Sequence, residues 1–196
     1  MTLSPEGSDA MEPAFRSIPL EQLARWVFRD LEGGHGALGI PQESFAVPGP
    51  RMASRMFGRE LAAPLGVAAG PHSQLAQNIV ASWLCGARFI ELKTVQVLDE
   101  IEVSRPCIDA ADETYNCEWS QELKLEQSFE EYLNGWVLLH ALAHWMGLEG
   151  PGTLFAMSVG YSLEGIQNPR VQKFISSMRD AGPYLEAAID AVAKVY

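Results

Sequence analysis

Residues 65–96, LGVAAGPHSQLAQNIVASWLCGARFIELKTVQ, constrain the fold of this chain more than any other stretch. The run Leu65 to Ala69 has the short apolar character of a buried strand, and Gly70-Pro71 is a turn. A helix is expected from about Ser73 to Leu84, a stop at Gly86, and a second strand from Arg88 to Val95. Strand, crossover helix and parallel strand make up the repeating unit of α/β folds. The second strand is unusual. Its period of two puts Phe89, Glu91, Lys93 and Val95 on one face and Ile90, Leu92 and Thr94 on the other. Two opposite charges on a strand expected to be buried would each cost about several kcal/mol unless paired or used by a ligand.

With 196 residues, 47% of them apolar, the chain can bury a proper core. Its 25 acidic residues against 14 Lys and Arg give a formal charge of -11, a field that repels phosphate backbones and argues against nucleic-acid partners. Its apolar stretches fall short of the roughly 20 residues a membrane-spanning helix needs. The start, MTLSPEGSDAMEP, lacks a basic segment followed by an apolar one, so a cytoplasmic location is expected. Cys85, Cys107 and Cys117 form no C-x-x-C, so the chain carries no zinc ribbon or iron-sulfur ligand set of its own; buried free thiols are expected.

Residues 1–16 read as a flexible tail and 17–196 as one domain. Pro19 fits the first turn of a helix whose stripe is Leu20, Leu23, Ala24, Val27, Phe28 and Leu31, ended by Gly33-Gly34. A Gly/Pro-rich loop over 36–50 leads to a hairpin turning at Phe57-Gly58-Arg59. Beyond Val95, the mixed and acidic text to Trp119 reads as a long excursion, of a length that is usually functional. Ser128-x-x-Glu131 has the form of a capping box, opening a helix with Phe129, Leu133, Trp136, Val137, His140, Ala143 and His144 on one stripe. Thr153 to Val159 reads as a strand buried on both faces, Gly160 to Gln167 as a loop, and Asn168-Pro169 as the start of a helix with Val171, Phe174, Ile175 and Met178 inward. A last helical piece covers Tyr184 to Val195.

Three successive parallel units behind a hairpin fit either an open doubly wound sheet or the opening of a (β/α)8 barrel. A whole barrel takes about 250 residues, so only part of one would fit here. Neither G-x-G-x-x-G nor G-x-x-x-x-G-K occurs, which favours the barrel. The expected fold is α/β: a partial TIM barrel, three strand–helix units preceded by an N-terminal helix and a β-hairpin.

At Ala68-Ala69-Gly70-Pro71 and Glu91-Leu92-Lys93-Thr94 the chain resembles the flavin-binding barrel of the dihydroorotate and dihydropyrimidine dehydrogenases. The segments AAGPHSQLAQNIVASWL, FIELKTVQ, RPCIDA and MSVGYSLEGI, in that order, resemble the amino-terminal region of the large iron-sulfur oxidoreductases of the YgfK type, described as selenate reductase subunits. The likeness runs from about Ile18 to Asp180.

This resemblance implies FMN lying over the strand ends, approached by the small residues Ala68, Ala69 and Gly70. Lys93 would lie beside the pyrimidine end of the ring, with Thr94 hydrogen-bonding next to it and Glu91 as the same-face partner of Lys93. Asn116 and Ser120 are the implied substrate-binding candidates. The family's catalytic cysteine or serine and its phosphate-holding loops come from later strands, so the chain reads as a fragment or a truncated product, inactive and binding FMN weakly or not at all by itself. Iron-sulfur clusters and FAD would belong to other parts of such an enzyme.

Each reading has a plainer counterpart. Lys93 and Glu91 could form a structural ion pair, and Ala68 to Pro71 a generic turn. His140 and His144 have metal-pair spacing but lack the glutamate of H-E-x-x-H, so core or interface histidines are expected. Asp109, Asp112 and Glu113 miss the calcium-loop spacing, and Trp119, Trp136 and Trp145 read as packing residues. Two functions compete: an N-terminal module of a flavin/iron-sulfur oxidoreductase acting on a small molecule, and a cofactor-free scaffold that keeps the barrel shape. The expected partners are the C-terminal remainder of the barrel or other redox domains, with self-association of the fragment through an open strand edge.

Overall fold

The computed structural model describes residues 17–97, 123–160 and 162–196. The expected tail, most of the excursion after Val95, and the candidates Asn116 and Ser120 lie outside the described residues.

Helix α1 (Leu20–Glu32) buries the six residues its periodicity singled out, with Pro19 at its N-cap. After it, Ser54–Met56 (β1) and Arg59–Leu61 (β2) pair antiparallel. Their two-residue turn places Phe57 at φ 50° and Gly58 at φ 74°, the left-handed conformation a tight hairpin requires.

Three parallel strands follow in sequential order: β3 (Gly66–Val67), β4 (Phe89–Glu91) and β5 (Leu154–Ala156). Gly66 sits opposite Phe89, which in turn sits opposite Leu154. A Cβ on Gly66 would come within 2.5 Å of the Phe89 carbonyl oxygen, so glycine is what lets β3 approach β4. The strands are shorter than expected, but pairing resumes beyond them where Val95 bridges Val159. Ile90 and Leu92 are fully buried, and Phe155, level with Ile90, packs edge-on against Trp136 at 5.1 Å. That face looks towards the helices. On the other face Phe89 meets Phe57 of the hairpin, with ring centroids 6.5 Å apart.

The helical layer comprises α2 (Ala76–Leu84), α3 (Leu125–Trp145), α4 (Leu163–Gln167), α5 (Pro169–Arg179) and α6 (Gly182–Ala193). Helix α2 packs on α3, and α6 packs on both α1 and α3. Trp83 of α2 is buried and donates its indole N–H to the Pro151 carbonyl at 2.9 Å, tying the helix to the turn before β5. Arg88 is buried without a carboxylate partner among the described residues. Its guanidinium donates to the carbonyls of Trp83, Ala87 and Ala46 and lies 4.6 Å over the Trp83 ring, and burial holds its pKa down to about 10.

Several expectations need correction. The helix after Gly70 begins at Ala76, because a 3-10 turn occupies Pro71–Gln74. Helix α3 starts at Leu125, where Gln127 reaches back to the Lys124 N–H at 2.9 Å; Ser128 and Glu131 therefore lie inside it and do not cap it. The stretch read as a loop after Gly160 contains α4, capped by the Ser162 hydroxyl. Strand β5 is half-buried, not enclosed on both faces. His140 and His144 are exposed, so of the two expected roles neither is a core histidine; Trp136 lies against His140 and Tyr196 hydrogen-bonds His144, and desolvation lowers the His140 pKa. Cys85 is exposed just beyond α2, so it is not a buried thiol.

Candidate functional site

The C-terminal ends of adjacent parallel strands point the same way, so residues following β3, β4 and β5 gather at one end of the sheet. After β3 come Ala68, exposed, and Ala69 and Gly70, half-buried. After β4 come Lys93, only 7% exposed, half-buried Thr94 and fully buried Gln96. After β5 comes Ser158, whose hydroxyl shares a 2.8 Å hydrogen bond with that of Thr94. All five cofactor-binding candidates therefore lie on the two neighbouring segments that leave β3 and β4.

The loop is internally braced. Glu91, on β4, accepts the Ala69 N–H at 3.2 Å, and the Ser73 hydroxyl accepts that of Gly70 at 3.2 Å. Glu91 thus holds the first strand's loop as well as standing two residues from Lys93. The segments that meet here carry the small residues Ala68, Ala69 and Gly70, the Thr94 and Ser158 hydroxyls, and the buried Lys93. The two braced amides are not offered to a ligand.

Three residues that sequence reasoning misread or passed over support these loops. Glu131 of α3 is buried and accepts the Ala76 N–H at 2.7 Å, so it caps α2 instead of its own helix. Burial raises its pKa, while the bonds from Ala76 and the Ser17 side chain oppose that shift. Tyr132, next along α3, donates its hydroxyl to the Lys93 carbonyl at 2.8 Å. Gln74 accepts the Leu123 N–H at 3.1 Å. Ser158 had a signal, since it lies in the MSVGYSLEGI segment; Tyr132 had none.

A cleft of about 530 Å³ lies in the helical layer, between α3, α5 and α6, with Phe129, Leu133, Phe174 and Tyr184 among its walls. Lys93 and Thr94 do not line it. Among the described residues no group of three His, Cys, Asp or Glu could hold a metal ion, and no helix is long and apolar enough to cross a membrane.

Residues 38–192 match the family described as "Oxidoreductase YgfK, N-terminal TIM-barrel domain". The chain belongs to this family. It is 47% identical over 176 residues to the protein named "Putative oxidoreductase YgfK" in Escherichia coli K12, and equally to its counterpart in strain O157:H7. These alignments cover 89% of the chain but 17% of each relative, so the chain spans a small part of the YgfK proteins it matches. A crystal structure of "ligand-free type DHODH from Eimeria tenella" superposes with a TM-score of 0.45 at 14% identity, covering 80% of this chain and 49% of that one. The YgfK family assignment agrees with the partial barrel expected from sequence: three parallel strands with helices outside them, behind a helix and a hairpin.

Proposed function

We propose that this chain supplies the first three strand–helix units of an FMN-binding barrel in a flavin/iron-sulfur oxidoreductase, where electrons pass to or from a small-molecule substrate. One observation carries the reading. The small-residue loop after β3 and the buried Lys93 after β4 stand side by side at the strand ends of a YgfK-family barrel domain.

The donor set fits the ring edge of a flavin and supplies no phosphate cradle. Ala68, Ala69 and Gly70 would admit the ring, and Lys93 and Thr94 would face its polar edge. When bound, FMN supplies one- and two-electron redox chemistry. The ammonium of Lys93, shielded from water, favours whichever ligand state is richer in electrons. The Thr94–Ser158 hydroxyl pair can turn either hydrogen towards an acceptor. Iron-sulfur clusters and FAD belong, in this reading, to other parts of the complete protein.

The test uses the complete protein that carries this domain. It should release FMN on denaturation, and Lys93→Ala should weaken FMN retention at least about tenfold and make the flavin harder to reduce. Lys93→Arg should keep most of both properties. A complete protein that turns over its substrate without FMN would overturn the proposal. The second reading, a cofactor-free scaffold, draws support from the internal bracing of the Ala69 and Gly70 amides by Glu91 and Ser73.

A further inference from the structure

Adjacent residues on a helix point about 100° apart, so two neighbours that each bind a different loop mark a helix wedged between those loops. Glu131 and Tyr132 are such a pair. The carboxylate of Glu131 takes the N–H of Ala76, at the end of the loop that leaves β3, across 55 residues of sequence. The hydroxyl of Tyr132 reaches the carbonyl of Lys93, on the segment that leaves β4, across 39. Both side chains are almost fully buried, which makes both bonds hard to replace by water. Two residues before α3, the Leu123 N–H adds a third tie, to Gln74 in the β3 loop.

We infer that Glu131 and Tyr132 are positioning residues: from one turn of α3 they fix the loop after β3 and the backbone of Lys93 relative to each other. Fixing the Lys93 carbonyl fixes the direction in which its side chain leaves the backbone, while the α2 cap sets how far the Ala68–Gly70 loop stands from it. The inference rests on the proposed site for its function, but its geometry concerns only this chain's own atoms.

Tyr132→Phe separates this role from ordinary packing. It keeps the ring against Phe174, at a 6.4 Å centroid distance, and removes only the hydroxyl. In this chain, pulse labelling with an amine-reactive acetylating reagent, read residue by residue by mass spectrometry, should show Lys93 modified about three- to tenfold faster in Tyr132→Phe than in wild type. Lys124, Lys173 and Lys194 should be unchanged. Glu131→Ala should also accelerate Lys93 labelling, and Glu131→Gln, which keeps an oxygen acceptor for the Ala76 N–H, should restore most of the protection. Val27→Ala, in the α1 core, serves as a control that lowers stability without touching either loop, and at an equal loss of stability should raise the ratio of Lys93 to Lys173 labelling by less than Tyr132→Phe does. Equal Lys93 labelling in wild type and Tyr132→Phe, or an equal rise in Val27→Ala, would overturn the inference. In the complete protein, FMN retention should fall by a similar factor in Tyr132→Phe. Absence of FMN from the wild type would remove the proposed function, and the labelling result would still decide the positioning role.

Discussion

At the scale of single residues, two shifted carboxyl groups among the described residues act in opposite directions with pH. Glu131 has a folded pKa raised by burial, so its contribution to stability is full below about 4.5, the ordinary glutamate value, and is lost as pH rises through the folded value. Glu126 is held down to about 2, chiefly by its hydrogen bond from Arg170, so its contribution is present above about 4.5 and is lost as pH falls towards 2. Glu126 is largely exposed, which leaves its share small and screened by salt. Urea midpoints measured from pH 4.5 upwards should therefore decline for wild type over the window in which Glu131 ionises. Glu131→Gln should flatten that decline, whereas Glu126→Gln should leave it and change only the acid side. A midpoint profile identical in wild type and Glu131→Gln would show that the buried carboxyl does not titrate there.

At the scale of elements, Trp83 joins three of them: it packs in α2, lies under the Arg88 guanidinium, and donates to the turn before β5. Trp83→Ala should cost about 3–5 kcal/mol in chemical denaturation and Trp83→Phe about 1–3 kcal/mol, the smaller change still leaving the buried Pro151 carbonyl without its donor. The elements also show what the sequence could and could not convey. The stripe of α1 was legible to the residue, because one helix face alone is buried and periodicity records it. Helix α3 was not, since burial extends over much of its circumference, and Ser128 and Glu131 carry the letters of a capping box although both are buried within the helix and Glu131 bonds the start of α2. The site divides in the same way. Small residues and a lysine at strand ends leave a local signal, but the Glu131 and Tyr132 ties span 55 and 39 residues, and no window of sequence contains them.

At the scale of the whole molecule, β5 has β4 on one side and, among the described residues, no strand on the other. The residues of β5 are only half-buried, which leaves apolar surface along that edge. We propose that this chain self-associates through it; sedimentation velocity should show a concentration-dependent rise in mass, and a monomer across the micromolar range would refute this. The placement of α3 has a further effect during synthesis. A growing polypeptide exposed only as far as Thr94 already presents Ala68, Ala69, Gly70, Lys93 and Thr94, yet α3, which holds the loops after β3 and β4, has still to emerge from the ribosome. Those loops are thus tied in place only after their own residues have emerged, and until then polar groups destined for burial, the Lys93 carbonyl among them, stand open to water.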